Sequence, residues 1–217
     1  MNAKRMLLGL SVVLLTICSG IAWAAEPKTT GFISGNPQFE PDKDRPGAMI
    51  YRKPGVDITS YKKILIDPIE IFVAEDSKYK GLSADEAKTI ADTLRQALVK
   101  ELEPDYPVVD VPGDGVLGIR LAITNVHLQT KKRGLLGYTP IGFVVTSAAN
   151  LAGMRMELSQ ATIEAELLDG GTNEQVGAVI DPLGNDKEDE KPSWEEVGKR
   201  LEYYAKRLRA RLEEGNK

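Results

Sequence analysis

The chain has 217 residues, a formal net charge of −4 and an apolar share of 42%, enough for one domain to bury a core of its own. Its acidic balance argues against nucleic acid as a partner, because phosphate binding needs concentrated Lys and Arg, and the trio Lys131-Lys132-Arg133 is too small to reverse it. A single histidine, His127, and a single cysteine, Cys18, leave no set for a multi-histidine or thiolate zinc site.

Residues 1–24 carry the three zones of a secretory signal peptide. Lys4 and Arg5 form a positive start, Met6 to Cys18 is an almost unbroken apolar run, and Ala22-Trp23-Ala24 places small residues where signal peptidase needs them. Cleavage is expected between Ala24 and Ala25. The apolar run is short for a bilayer span, which needs about 20 residues. A rival lies inside it: Leu15-Thr16-Ile17-Cys18 resembles a lipoprotein box, with Ile17 a poor fit where a small residue is usual. Acylation at Cys18 would make the protein an outer-membrane lipoprotein. The remainder after Ala24 has no cysteine, so its stability must come from packing even in an oxidising compartment.

Residues 25–60 form a Pro/Gly-rich leader, with Pro27, Pro37, Pro41, Pro46 and Pro54 breaking any period. Phe32, Phe39 and Met49-Ile50-Tyr51 give it apolar points that could dock on a domain spanning 61–213. That domain opens with Tyr61 to Val73, whose apolar alternation changes phase across Asp67-Pro68. Proline cannot donate to a ladder, so the strand bends there and lies at an edge or carries a bulge. Ser83-Ala84-Asp85-Glu86 is a capping box that starts a helix running to about Glu103, with Ile90, Leu94, Leu98 and Leu102 on one stripe.

Pro107 to Val111 reads as a short strand and Val116 to Gln129 as a long one, with Leu117, Ile119, Leu121 and Ile123 turned inward. Gly134 to Met154 is an insertion without a charged residue. Its glycines and Pro140 dilute it as a membrane span. Gly142, Thr146, Ala149 and Gly153 put small residues on one face of a candidate helix, a contact surface for a second copy, a partner or a membrane. Ala161 to Leu167 and Gln175 to Ile180 pair as a hairpin about Asp169-Gly170-Gly171-Thr172-Asn173-Glu174. In the first of them Glu164 and Glu166 are expected to face water. A second capping box, Ser193-Trp194-Glu195-Glu196, opens the last helix, 193–213, whose later turns are basic as the helix dipole favours. The order is strand, helix, two strands, insertion, two strands, helix. It suits an α+β fold: a mainly antiparallel sheet of about five strands with two amphipathic helices on one face.

No catalytic, metal or cofactor-binding constellation emerges. His127 at a strand end is expected to be structural or at the surface, and no Gly-x-Ser-x-Gly elbow accompanies it. Asp186 to Glu190 lacks the ligand spacing of a calcium loop. No glycine-rich phosphate cradle precedes a Lys-Ser/Thr pair.

Taken in order, Gly31-Phe32-Ile33, the Tyr61–Glu70 strand, the helix after it, Val116–Val126 and the Glu164–Glu174 hairpin resemble a bacterial family, the domain of unknown function 3313. The resemblance covers about Gly31 to Pro182. Its members are mostly predicted envelope lipoproteins, and it implies no catalytic residue. The order of elements is also similar to small periplasmic domains of outer-membrane assembly and transport accessory lipoproteins, a likeness of fold alone. The expectation is a periplasmic, non-enzymatic binding or assembly component, with an envelope protein or a second copy as partner. Membrane contact would come through Cys18 or the 134–154 segment. A competing expectation is a small-ligand sensor or enzyme with a loop-built site that includes Tyr138 and His127.

Overall fold

The computed structural model describes residues 30–78, 84–128, 156–185 and 194–214. Both capping serines, Ser83 and Ser193, lie outside them, as do the 134–154 insertion and Tyr138.

The spine of the sheet is β6 (Val116–Leu128). It pairs antiparallel with β8 (Thr162–Asp169), from Leu117 opposite Asp169 to Thr124 opposite Thr162. β8 turns back into β9 (Gln175–Pro182) as an antiparallel hairpin. Asp169 builds that turn: its Oδ1 accepts from the amides of Gly171 (2.9 Å) and Thr172 (2.8 Å). A side chain at Gly170 could not fit, since a Cβ there would lie 2.7 Å from the Val116 carbonyl oxygen.

On the far side of β6 the first domain strand is split as the proline predicts. β3 (Lys63–Ile66) and β4 (Glu70–Val73) both run beside β6, on either side of Asp67-Pro68. Both are parallel to β6, and β5 (Val108–Val109) is parallel to β3. The helix α1 (Ala84–Leu102) separates β4 from β5 and β6 and supplies the crossover that parallel pairing requires. Two strands that were not expected come from the leader. β2 (Met49–Arg52) pairs antiparallel with β9, and β1 (Glu40–Pro41) pairs with β2. With the short β7 (Met156–Glu157) the described sheet has nine strands, not about five. The sheet is therefore mixed: the pairings among β1, β2, β9, β8, β6 and β7 are antiparallel, as expected of most of the sheet, and those of β3, β4 and β5 are parallel, which was not expected.

One face of the sheet carries the main core. Ile64, Leu117, Ile119, Ile123 and Ile163 meet Ile90, Leu94, Leu98 and Leu102 of α1, and Val197, Leu201, Ala205 and Leu212 of α2 (Trp194–Glu213). Each helix thus buries its predicted stripe on the same face. Each large aliphatic side chain withdrawn from water there contributes about 1.5–3 kcal/mol. The other face is closed by the leader. Phe32, Ile33, Phe39, Met49 and Tyr51 pack with Ala122, Ala178 and Ile180.

Candidate functional site

The residues expected at a signal-cleavage site, Ala22, Ala24 and Ala25, the lipidation candidate Cys18 and the small-residue set Gly142, Thr146, Ala149 and Gly153 all lie outside the described residues. His127 lies within them. Its Nε2 is 2.9 Å from Asp76 Oδ1 and its Nδ1 is 3.3 Å from the Asn125 carbonyl oxygen. Both ring nitrogens are engaged: Nε2 ties the 74–78 turn to the end of β6, and Nδ1 stays within β6 itself.

Glu164 and Glu166 require a correction. Neither faces water: both are 0% exposed. Alternation along β8 puts them on the sheet face away from the helices, as expected, but the leader covers that face. Glu166 Oε1 accepts from the Ser34 amide and hydroxyl, each at 2.6 Å, and from Gln175 Nε2 at 2.8 Å. Its Oε2 meets Arg120 Nη1 at 2.5 Å, and the Arg120 guanidinium lies 4.8 Å from the centre of the Phe32 ring. Glu164 Oε1 accepts from the amide and hydroxyl of Thr30, at 3.2 and 3.1 Å, and from Thr124 Oγ1 at 2.8 Å. The two carboxylates are clamps for the leader.

A second set of ties joins the leader to α2. Arg207 Nη1 and Nη2 donate to the two oxygens of buried Asp42, and Nη2 also reaches Asp44 at 2.8 Å. Asp181, at the end of β9, accepts from Arg45 Nε (3.0 Å), Arg200 Nη1 (3.3 Å) and Tyr204 Oη (3.0 Å). Burial, and then the Asp181 charge, push the Tyr204 hydroxyl far above its ordinary pKa, so it donates as a neutral phenol.

Between these ties the helix face is incompletely filled. A cavity of about 230 Å³ lies where β2 and β9 meet α2. Its floor is the apolar sheet face, with Leu121, Ala165 and Val176 among the floor residues, and its roof is Leu201, Ala205 and Leu208 of α2. The leader supplies a wall through Ile50, Val56 and Ile58. The cationic groups on its lining are Arg52, Lys53, Arg207 and Arg211.

These cations are neutralised unequally. Arg207 is held by Asp42 and Asp44, and Lys53 Nζ by Glu174 at 2.8 Å. Arg52 meets Glu40 only at 3.8 Å, with both side chains well exposed, an arrangement worth little. Arg211, half-buried, has no hydrogen bond or ion pair among the described residues. Burial, and then the like charges of Arg52 and Arg207, lower its pKa below the ordinary arginine value.

The sequence reading missed this place. Arg207 and Arg211 are one turn apart on α2, a spacing visible in the chain, but the wall opposite them is a leader strand that carries no strand pattern of its own. Among the described residues no group of three or more His, Cys, Asp or Glu side chains is placed to hold a metal ion. No described helix is long and apolar enough to cross a membrane.

Solved structures resemble the chain only distantly. A PelC dodecamer from Paraburkholderia phytofirmans is 9% identical, with a TM-score of 0.33 over 75% of this chain and 97% of that one. A DUF4136 family protein from Bacteroides thetaiotaomicron VPI-5482 is 10% identical, with a TM-score of 0.39 over 76% of this chain and 96% of that one. No curated protein matches the sequence. The model of a protein family of unknown function, DUF3313, matches residues 28–208, and the chain belongs to that family.

Proposed function

We propose that the chain is an exported, non-enzymatic binding component of the cell envelope, acting in the periplasm or at the outer membrane, and that it binds in the cavity between its sheet and α2. Export is supported by the Lys4-Arg5 start, the apolar run to Cys18 and the Ala22-Trp23-Ala24 site. Binding rests on one observation, an apolar cavity of about 230 Å³ in a fold that otherwise packs its aliphatic residues closely. Well-packed interiors leave few voids larger than a water molecule, whereas an apolar void of about 150 Å³ is already enough to take up benzene. The polar groups that could have suggested catalysis have structural partners instead: His127 with Asp76, Glu166 with Ser34 and Arg120, and Asp181 with Arg45 and Tyr204.

The test uses a neutral, polarity-sensitive probe, N-phenyl-1-naphthylamine. Its fluorescence should rise and saturate on titration into the purified protein. Ala205→Phe, which fills the cavity from its roof, should abolish the rise without lowering the melting temperature, since filling a void commonly stabilises. A wild-type protein that leaves the probe dark, or a variant that binds it equally well, removes the cavity as the binding place. A second reading, tethering through an acylated Cys18, is favoured by the Leu15-Thr16-Ile17-Cys18 box and changes the anchor but not the cavity.

A further inference from the structure

The geometry points to a single-chain alkyl anion as the occupant of this cavity, its tail among the aliphatic side chains and its carboxylate-type head on Arg211 and Arg52. The inference rests on the binding reading above and adds the chemistry of the ligand to it.

Two features have to be satisfied at once. Away from its charged residues the lining offers little to a polar ligand, because side chains such as Leu121, Ala165, Ala205 and Leu208 present only hydrocarbon. A polar metabolite would lose its hydration there without recompense. The lining also carries three guanidinium groups, and these are close enough for Arg52 and Arg207 to oppose the charge on Arg211. Like charges held together cost stability unless an anion lies between them. Asp42 and Asp44 supply that anion for Arg207. Arg211 feels Glu214 and Asp42 only through space, with no hydrogen bond or ion pair to either, and burial with the two like charges outweighs them.

A purely apolar ligand would leave this cation unanswered. A polyanion would answer it and leave the hydrocarbon cavity empty. An amphiphile with one tail and one negative head meets both. A planar guanidinium fork suits a carboxylate or a phosphate oxygen pair. The volume limits the tail to a short or medium chain, since the cavity is smaller than the roughly 300–1,000 Å³ usual for drug-sized ligands.

An arginine kept for a ligand makes a distinctive pair of expectations. Removing its charge should weaken binding of the anion and should not weaken the fold. The experiment displaces N-phenyl-1-naphthylamine with octanoate, octan-1-ol and octylamine, which share a tail and differ in head charge. Octanoate should compete about tenfold better than octanol, the scale of one charge-assisted hydrogen bond, and octylamine worst. Arg211→Gln should abolish the preference for octanoate, leave octanol unchanged and keep or raise the melting temperature. Arg211→Lys, which retains the charge, should restore part of the preference, and Arg52→Gln should reduce it independently.

Octanol and octanoate competing equally, or an Arg211→Gln variant with wild-type preference, would overturn the head-group assignment while leaving the cavity a binding site. A protein that never binds the probe fails at the earlier step instead. The same head group could belong to a bilayer lipid. Flotation with phosphatidylglycerol vesicles that octanoate does not compete would place the anion on a membrane surface and overturn the cavity assignment.

Discussion

Glu164 and Glu166 stand two residues apart on β8, with the same burial and opposite balances. Glu166 fills both carboxylate oxygens, with Ser34 and Gln175 on one and Arg120 on the other. Glu164 gathers all its donors on Oε1, and its buried Oε2 has no hydrogen-bond partner among the described residues. An unanswered buried carboxylate oxygen costs free energy, whereas a fully bonded one holds two segments together. The amide substitution separates the two cases. In Glu166→Gln the new NH₂ must face a donor, either Ser34 or Arg120, and the charge on Arg120 loses its partner. The expected loss is about 2 kcal/mol, below the about 3–5 kcal/mol for breaking a fully buried pair, because Arg120 keeps 34% of its side chain exposed. In Glu164→Gln the NH₂ takes the place of the unbonded oxygen, where no donor points. Urea unfolding should show a lower midpoint for the first variant and an unchanged or higher one for the second. Equal losses would mean that Glu164 is as well satisfied as Glu166.

At the scale of elements, what was legible follows from which forces are local. The stripes of α1 and α2, the bend at Asp67-Pro68 and the hairpin about Asp169 depend on neighbours within a few residues, and each appears in the structure. Strand direction is different, because alternation is the same in a parallel and an antiparallel strand. Only the helix between β4 and β6 signals the crossover. The burial of Glu164 was hidden because its cover lies 134 residues away. One trace existed in the chain: Val176, Ala178, Val179 and Ile180 are apolar on both parities of β9, as expected of a strand covered on both faces. The leader's grip on α2 has its own signature in acid. Burial raises the Asp42 carboxyl, but the Arg207 hydrogen bond, the Asp44 amide and the charges of Arg207 and Arg52 outweigh it, so its pKa lies below the ordinary 3.8. A depressed carboxyl stabilises the fold above its unfolded pKa and loses that contribution as pH falls through the folded value. Asp169 is also depressed, by the Thr172 amide first and then Tyr61, so the wild-type acid limb contains both. Stability should therefore decline as pH falls below about 4. The decline should be shallower in Asp42→Asn, which is already less stable at neutral pH, when urea midpoints are compared from pH 6 downward. Parallel acid limbs in the two proteins would place the acid sensitivity elsewhere.

At the scale of the molecule, the leader does three things that its irregular sequence does not advertise. It adds β1 and β2 to the edge of the sheet, it closes the face that carries Glu164 and Glu166, and through Ile50, Val56 and Ile58 it forms a wall of the cavity. The leader is thus part of the proposed binding site, so where the proposed export signal would be cut bears on the proposed function. Cleavage before Ala25 would leave only a short stub ahead of the clamped Thr30, and the domain would diffuse freely. Acylation at Cys18 would leave a strand whose steps to Thr30 reach at most about 40 Å, holding the cavity near a bilayer from which a tailed anion could be drawn. Intact-mass analysis of the protein recovered from its native envelope decides between these anchors. The residues around Ala24 lead us to expect an unmodified chain beginning at Ala25, found in the soluble periplasmic fraction. A diacylated or triacylated chain beginning at Cys18 would instead establish the tether, and its membrane association should vanish in Cys18→Ala. A mass that retains residues 1–24 without lipid would refute signal cleavage, and with it the reading of the leader as the first segment of the working protein.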